Sequence, residues 1–324
     1  MPYDVAAARK AISGIAIETP VLSVPSLSDR VGAPVALKLE NLQVTGSFKV
    51  RGAANRMLAL TDEEKSRGVV ACSSGNHGRA VAYVAELLGI PATVCVPEWV
   101  DPSKLEAIRN HGSEAILYGK TYDDTAERSL EIQRERRLTY VHPFDDPHVI
   151  AGQGTIGLEL LEQLPSVDTV LVPLSAGGLI GGIGLALKSH APTIRLIGVS
   201  AKPARVMYES LKAGHPIEFP EEETIANALS GGIGLDNQHT FRLVREYVDE
   251  HILVEEAEIR EAMAFGVKEL KLVIEGGGAV GLAALIAGKI DHPVENVAVV
   301  VSGGNVDPRM LLQVVAETEE ARGM

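Results

Sequence analysis

The strongest constraint on this chain is the alternation of short β-rich runs with helical patterns along almost its whole length. The runs fall at residues 35–39, 69–72, 92–96, 115–117, 139–141, 169–172, 195–199 and 297–301. Amphipathic stretches such as 79–88 and 156–164 lie between them, and this pattern predicts βα units built on mostly parallel sheet. A chain of 324 residues exceeds one small core, so the fold class read here is α/β, as one large or two modest domains. Charged, weakly apolar segments at 61–67 and 121–137 are predicted as solvated helix faces, and 214–224, with Pro216 and Pro220, as a surface loop.

Glycine placement sharpens the picture. Ser73-Ser74-Gly75-Asn76-His77-Gly78, Ser175-Ala176-Gly177-Gly178 and Ser302-Gly303-Gly304-Asn305 each stand where a strand should hand over to a helix. In parallel α/β sheets the carboxyl ends of strands face the ligand crevice, so such loops are expected to serve a ligand.

Several function classes lose support. A net charge of -13 repels phosphate backbones, and no basic run interleaved with aromatics is present, so no nucleic-acid partner is expected. No stretch approaches the roughly eighteen apolar residues of a membrane span, and residues 1–11 lack the apolar core of a signal peptide; a cytoplasmic protein without a membrane partner is expected. The two cysteines, Cys72 and Cys95, lie in β-branched runs and read as buried thiols. Gly152-Gln153-Gly154-Thr155-Ile156-Gly157 has the form of a dinucleotide fingerprint, but His142-Pro143 and Asp146-Pro147 stand where a strand should lead into it. Nicotinamide binding is therefore rejected. Nucleotide triphosphate loops, zinc-protease motifs and serine-hydrolase elbows have no signature either.

Two features carry chemistry. The 175–178 turn, opening the glycine-rich run 179–184, suits a phosphate because a helix start presents unpaired N–H groups and a positive dipole end. On its own it reads equally well as close packing. Lys49, in Thr45-Gly46-Ser47-Phe48-Lys49-Val50-Arg51-Gly52, is expected just after a strand and just before the helical pattern 53–60. A partly desolvated amine there can attack an aldehyde; the alternative is an ordinary surface lysine.

Taken in order, Ser47-Phe48-Lys49-Val50-Arg51-Gly52-Ala53, the 73–78 motif, Gly152-Gln153-Gly154-Thr155, the 175–178 turn and the 302–305 loop resemble the fold-type II pyridoxal 5'-phosphate (PLP) family of serine/threonine dehydratases and serine racemases. Gly231-Gly232-Ile233-Gly234-Leu235-Asp236-Asn237 and Val199-Ser200-Ala201 look most like the dehydratases of hydroxyectoine utilisation. The resemblance implies the tryptophan synthase β-like fold, with a small domain at 48–148 inserted into a large one formed by 1–47 and 149–324. It also implies a PLP cofactor and a homodimer. Lys49 would bond the cofactor and then act as the base on Cα. Ser175, Ala176, Gly177 and Gly178 would hold its phosphate, Asn76 its 3'-oxygen and Ser302 its pyridine nitrogen, with Phe48, Gly232 and Glu275 beside the ring. Ser73, Ser74 and His77 would receive the substrate carboxylate, and Ser74 could serve as a second-face acid.

The implied activity is a PLP-dependent lyase of threonine/serine ammonia-lyase type. It would convert threonine, serine or a hydroxylated diamino acid of hydroxyectoine breakdown to a 2-oxo acid and ammonia. Serine/threonine racemisation is the alternative. Cysteine-synthase-like replacement fits less well, since those enzymes usually carry threonine at the place of His77. A non-catalytic sensor fits poorly with Lys49 present.

The chain also departs from its relatives. Many have four glycines where it has Ser175-Ala176-Gly177-Gly178, so the first two positions must avoid positive φ or tolerate strain. Many bind a divalent cation near the segment that here reads 200–206, which lacks hard oxygen ligands, so no metal is expected there. Phe144 stands where mammalian-type racemases place an asparagine.

Overall fold

The computed structural model describes residues 3–73, 75–220, 222–290 and 294–321. The chain forms two compact units, one of residues 1–17 with 48–153, the other of 18–47 with 154–324. Strands β1 (Val21–Ser23), β2 (Val35–Leu39), β3 (Val69–Cys72), β4 (Ala92–Val96), β5 (Glu114–Leu117), β6 (Thr139–Tyr140), β7 (Thr169–Pro173), β8 (Arg195–Ala201), β9 (Glu250–Val254) and β10 (Val297–Val301) make two sheets. The predicted runs all form strands. Two strands were not predicted: β1 is very short, and β9 opens on Glu250-His251 at a sheet edge, where a polar start hides the pattern.

The smaller unit carries α1 (Val5–Ala11), α3 (Lys49–Leu58), α4 (Asp62–Arg67), α5 (Asn76–Leu88), α6 (Pro102–Arg109) and α7 (Tyr122–Arg136), while α2 (Pro25–Val31) lies in the larger. The four-stranded sheet of the smaller unit is parallel, in the order β5-β4-β3-β6. After β3 the chain runs outward through β4 and β5, then returns by α7 to place β6 on the other side of β3. Strand order therefore reverses between β3 and β6. The expected surface helices are α4 and α7, each started by a threonine capping box.

Residues 1–17 were expected in the larger domain, but they pack with the smaller unit. Ile12 is buried and shares a core with Val50, Ala53 and Met57, and Arg51 donates from Nη2 to the carbonyl of Ile17 at 3.1 Å.

The larger unit's six-stranded sheet runs β1-β2-β10-β7-β8-β9, with only β1 antiparallel. Helix α8 (Pro147–Gln163) leads into β7, and α9 (Gly178–His190), α10 (Val206–Ala213), α11 (Thr240–Tyr247), α12 (Glu256–Phe265), α13 (Gly276–Ile286) and α14 (Pro308–Ala321) follow. From β7 the chain proceeds through β8 to β9, then crosses back to insert β10 between β7 and β2. Strand order reverses again, here between β7 and β10.

Strands β2, β7 and β10 are buried throughout, as a sheet covered on both faces requires. Within β2, Lys38 is wholly buried because its Nζ meets Glu159 Oε2 at 2.5 Å, the Thr19 carbonyl at 2.7 Å and Gln163 Oε1 at 2.8 Å. No helix of the described residues is long and apolar enough to cross a membrane.

Candidate active site

In an open parallel sheet the two loops flanking a reversal of strand order diverge and leave a crevice at the carboxyl ends of their strands. Both reversals in this chain coincide with candidate residues.

In the smaller unit the loops are 73–77 after β3 and 141–144 after β6. Lys49 does not directly follow a strand as expected: β2 ends at Leu39, a 3₁₀ turn at Glu40–Leu42 intervenes, and Lys49 is the first residue of α3. Its Nζ donates to the carbonyl of Pro143 at 2.7 Å and lies 5.2 Å from the centre of the Phe48 ring. Asn76 and His77 open α5, whose N-cap is Gly75, and Gly75 N donates to Ser73 Oγ at 3.1 Å. Gly78 admits no side chain, since a Cβ there would overlap the carbonyl of Ser73 and press on Val94. Ser74 lies outside the described residues.

His77 is buried, and its Nε2–H donates to the carbonyl of Val141 at 2.8 Å, which leaves Nδ1 as an unprotonated acceptor with no hydrogen-bond partner. Burial, and then the nearby charge of Lys49, push its pKa down from 6.5 to about 3. Folded, the ring stays neutral down to about pH 3, whereas in the unfolded chain it takes up a proton near 6.5. The unfolded state binds more protons between these values, so stability should fall as pH falls through this window. The slope from this one group approaches about 1.4 kcal/mol per pH unit. Denaturant midpoints measured against pH should show that slope in the native chain and lack it in His77→Gln; equal slopes would refute the assignment.

In the larger unit the loops are the 175–178 turn after β7 and the 302–305 loop after β10. Gly177 takes φ of 89° as N-cap of α9, while Ser175 and Ala176 are not among the residues of positive φ, as expected for non-glycine residues. A Cβ on Gly177 would lie 2.6 Å from Val244 and 3.1 Å from Met207. The amides that open α9 have no partner within the helix by the geometry of a helix start. Ser175 Oγ donates to the carbonyl of Leu229 at 2.7 Å, which ties the turn to the segment leading into exposed Gly232.

Ser302 is buried. Next to it, Gly303 bridges Ser47, and a Cβ on Gly303 would overlap the carboxylate of Glu275, which is buried at the N-cap of α13. Asn305 Nδ2 donates to the carbonyl of Thr45 at 2.9 Å, and Gly304 N to that of Gly46, also at 2.9 Å. Two motifs far apart in sequence thus hold each other.

The glycines of the rejected dinucleotide fingerprint lie inside α8. Gly152 packs on the backbone of Arg51 and Gly52, and Gly157 on Ile183 and Ala186, so they serve helix packing. In the 200–206 segment Ser200 Oγ donates to the carbonyl of Leu174 at 2.7 Å and Val206 opens α10. Among the described residues no group of three or more His, Cys, Asp or Glu is placed to hold a metal ion.

Sequence reasoning missed the carbonyls of Val141 and Pro143, which bind His77 and Lys49 respectively. Backbone acceptors carry no residue signature; the only hint was a His-Pro pair directly after a predicted strand. The residues present fit a phosphorylated aldehyde cofactor. Each unit supplies one element by itself: the smaller has a lysine amine of the type that reacts with an aldehyde, and the larger a tight glycine turn at a helix start of the type that suits a phosphate.

Comparison with known proteins agrees. Residues 12–303 match the family described as pyridoxal-phosphate dependent enzyme. The chain is 43% identical over 312 residues to an L-threonine ammonia-lyase of Thermotoga maritima, covering 96% of this chain and 77% of that one. It is also 43% identical over 308 residues to a catabolic L-threonine dehydratase of Staphylococcus aureus, covering 94% and 88%. Among solved structures, maize serine racemase superposes with a TM-score of 0.91 at 37% identity, covering 99% of this chain and 98% of that one. The processed threonine deaminase isoform 2 of Solanum lycopersicum gives 0.90 at 35% identity, covering 97% and 91%. The chain belongs to the pyridoxal-phosphate-dependent enzymes, within the fold-type II group of serine/threonine dehydratases and serine racemases.

Proposed function

We propose that this enzyme is a dehydratase that converts L-threonine or L-serine to the 2-oxo acid and ammonia. The observation that carries the reading is the amine of Lys49, held at the Pro143 carbonyl where strand order reverses in the smaller sheet. A relative 43% identical is named an L-threonine ammonia-lyase, which supports this direction of the chemistry.

When bound, PLP supplies an electron sink at Cα. In our reading Lys49 Nζ takes the Cα proton, and Pro143 offers an acceptor to the amine once it is charged. The amides opening α9 and the dipole of that helix carry a phosphate's charge at the 175–178 turn. Asn76 offers an amide to a phenolic oxygen. Ser302 would offer a ring nitrogen a hydroxyl, which cannot hold a proton there as a carboxylate can, so the ring would be a weaker electron sink and loss of a β-leaving group would be favoured. Ser73 and the helix start at Asn76 and His77 would receive a substrate carboxylate through hydroxyl and amide donors. The His77 ring itself is neutral, so it adds shape to this pocket rather than charge.

The likeness to maize serine racemase favours a second reading, racemisation. Phe144 argues for elimination, because its ring stacks edge-on against His142 at 4.6 Å and offers no hydrogen bond to hold a β-hydroxyl in place. Purified enzyme should therefore be given L-threonine, L-serine and a hydroxylated diamino acid in deuterated water, scoring 2-oxo acid, ammonia and enantiomer together. We expect 2-oxo acid to form at least about tenfold faster than D-amino acid on the best substrate, a barrier difference of about 1.4 kcal/mol. Faster accumulation of the D-amino acid would replace the dehydratase by the racemase.

A further inference from the structure

His142 lies in the loop after β6, and its geometry is more constrained than a loop histidine needs. Its Nδ1 accepts backbone N–H groups from Asp145 at 2.7 Å and from Phe144 at 3.3 Å. Two donors into one ring nitrogen require that nitrogen to be unprotonated, with the neutral ring's hydrogen on Nε2. The ring meets Phe144 edge-on at 4.6 Å and Tyr140 at 5.9 Å between centroids. It therefore closes a tight turn through its own neighbours, and the peptide enclosed by that turn is Pro143, whose carbonyl receives Lys49 Nζ at 2.7 Å. Proline at this point fixes φ and offers no N–H of its own. Two residues before Pro143, the carbonyl of Val141 is held by His77.

We propose that His142 is a positioning residue: by accepting the N–H groups of Phe144 and Asp145 it aims the Pro143 carbonyl at the amine of Lys49. The inference rests on the reading of Lys49 as the lysine that bonds the cofactor. Its consequence is that the amine finds its working position even when it is not bonded to the cofactor, so recapture of the cofactor and return of the amine after each turnover both depend on His142.

The test compares His142→Leu with His142→Asn in the full chain. The asparagine Oδ1 can occupy the place of Nδ1 and accept from N–H groups two and three residues on, a habit of that side chain in turns. It loses the ring stack but keeps the acceptor. Two readouts are needed: the rate at which cofactor-stripped enzyme regains the visible absorbance of bound PLP, and kcat and KM on L-threonine.

For His142→Leu we expect recapture and kcat to fall about tenfold, with KM within about threefold, since a hydrogen bond of about 1.4 kcal/mol corresponds to that factor. His142→Asn should stay within about threefold of the native chain throughout. Unchanged recapture in the leucine variant, or equal slowing in the asparagine variant, would overturn the proposal. If the leucine chain fails to fold by thermal melting, His142→Gln replaces it, because its amide reaches past the Nδ1 position. Lys49→Ala run alongside separates the two readings: a borohydride-stable adduct in that variant would remove the Lys49 assignment whatever His142 does.

Discussion

Replacing Lys49 by alanine is expected to remove the visible absorbance of covalently held cofactor and to lower turnover by about a thousandfold or more, the scale of a lost base and covalent anchor together. The fold should survive. Lys49 is the first residue of α3, half-buried, and its amine bonds a loop carbonyl, so truncation removes no core packing. The measurement is absorbance and borohydride trapping of purified Lys49→Ala, with a thermal melt beside them. A trapped adduct mapped to another lysine, with turnover intact, would show that a different amine does the work.

The second large effect is expected at Gly177→Ala. Its φ of 89° lies in the left-handed region, and a Cβ there would stand 2.6 Å from Val244. Left-handed backbone and overpacking together cost about 2–5 kcal/mol. Relief requires the turn to shift, which moves the amides that open α9. We therefore expect a lower denaturant midpoint and a weaker cofactor Kd, by about tenfold for each 1.4 kcal/mol of binding lost. Gly89→Ala is the control: φ there is also positive, at 64°, but nothing lies within 4 Å of the added Cβ. It should lower stability without moving the cofactor Kd, and a Gly177→Ala chain that binds cofactor like the native one would show that the turn does not hold it.

Much of this was legible in the sequence because its signals are local. A β-branched run that gives way to small residues, such as 69–72 before Ser73 or 297–301 before Ser302, specifies a buried parallel strand and where it ends. The absence of positive φ at Ser175 and Ala176 followed from their side chains alone. What escaped depends on partners remote in sequence. Residues 1–17 join the smaller unit through Ile12, whose contacts with Val50 and Met57 no periodicity announces. The run holding Lys38 reads as apolar, and the charge is tolerated because the Thr19 carbonyl and, on a later helix, Glu159 and Gln163 receive it. The Pro143 carbonyl was invisible for a different reason, since every residue owns one and only the fold says which is used.

The central position of β10 has a consequence for the order in which the protein can be made. Every segment of the smaller unit precedes residue 154, so its sheet can close while the chain is still being synthesised. The larger sheet cannot, because β10 fills the gap between β2 and β7. Until residues 297–301 emerge from the ribosome, β2 and β7 each present an unpaired edge rich in Val and Leu, the kind of surface that attracts other chains. The nascent enzyme thus passes through a long interval with one unit finished and the other open. It is in that interval, more than in the native state, that chaperone attendance and aggregation would be decided.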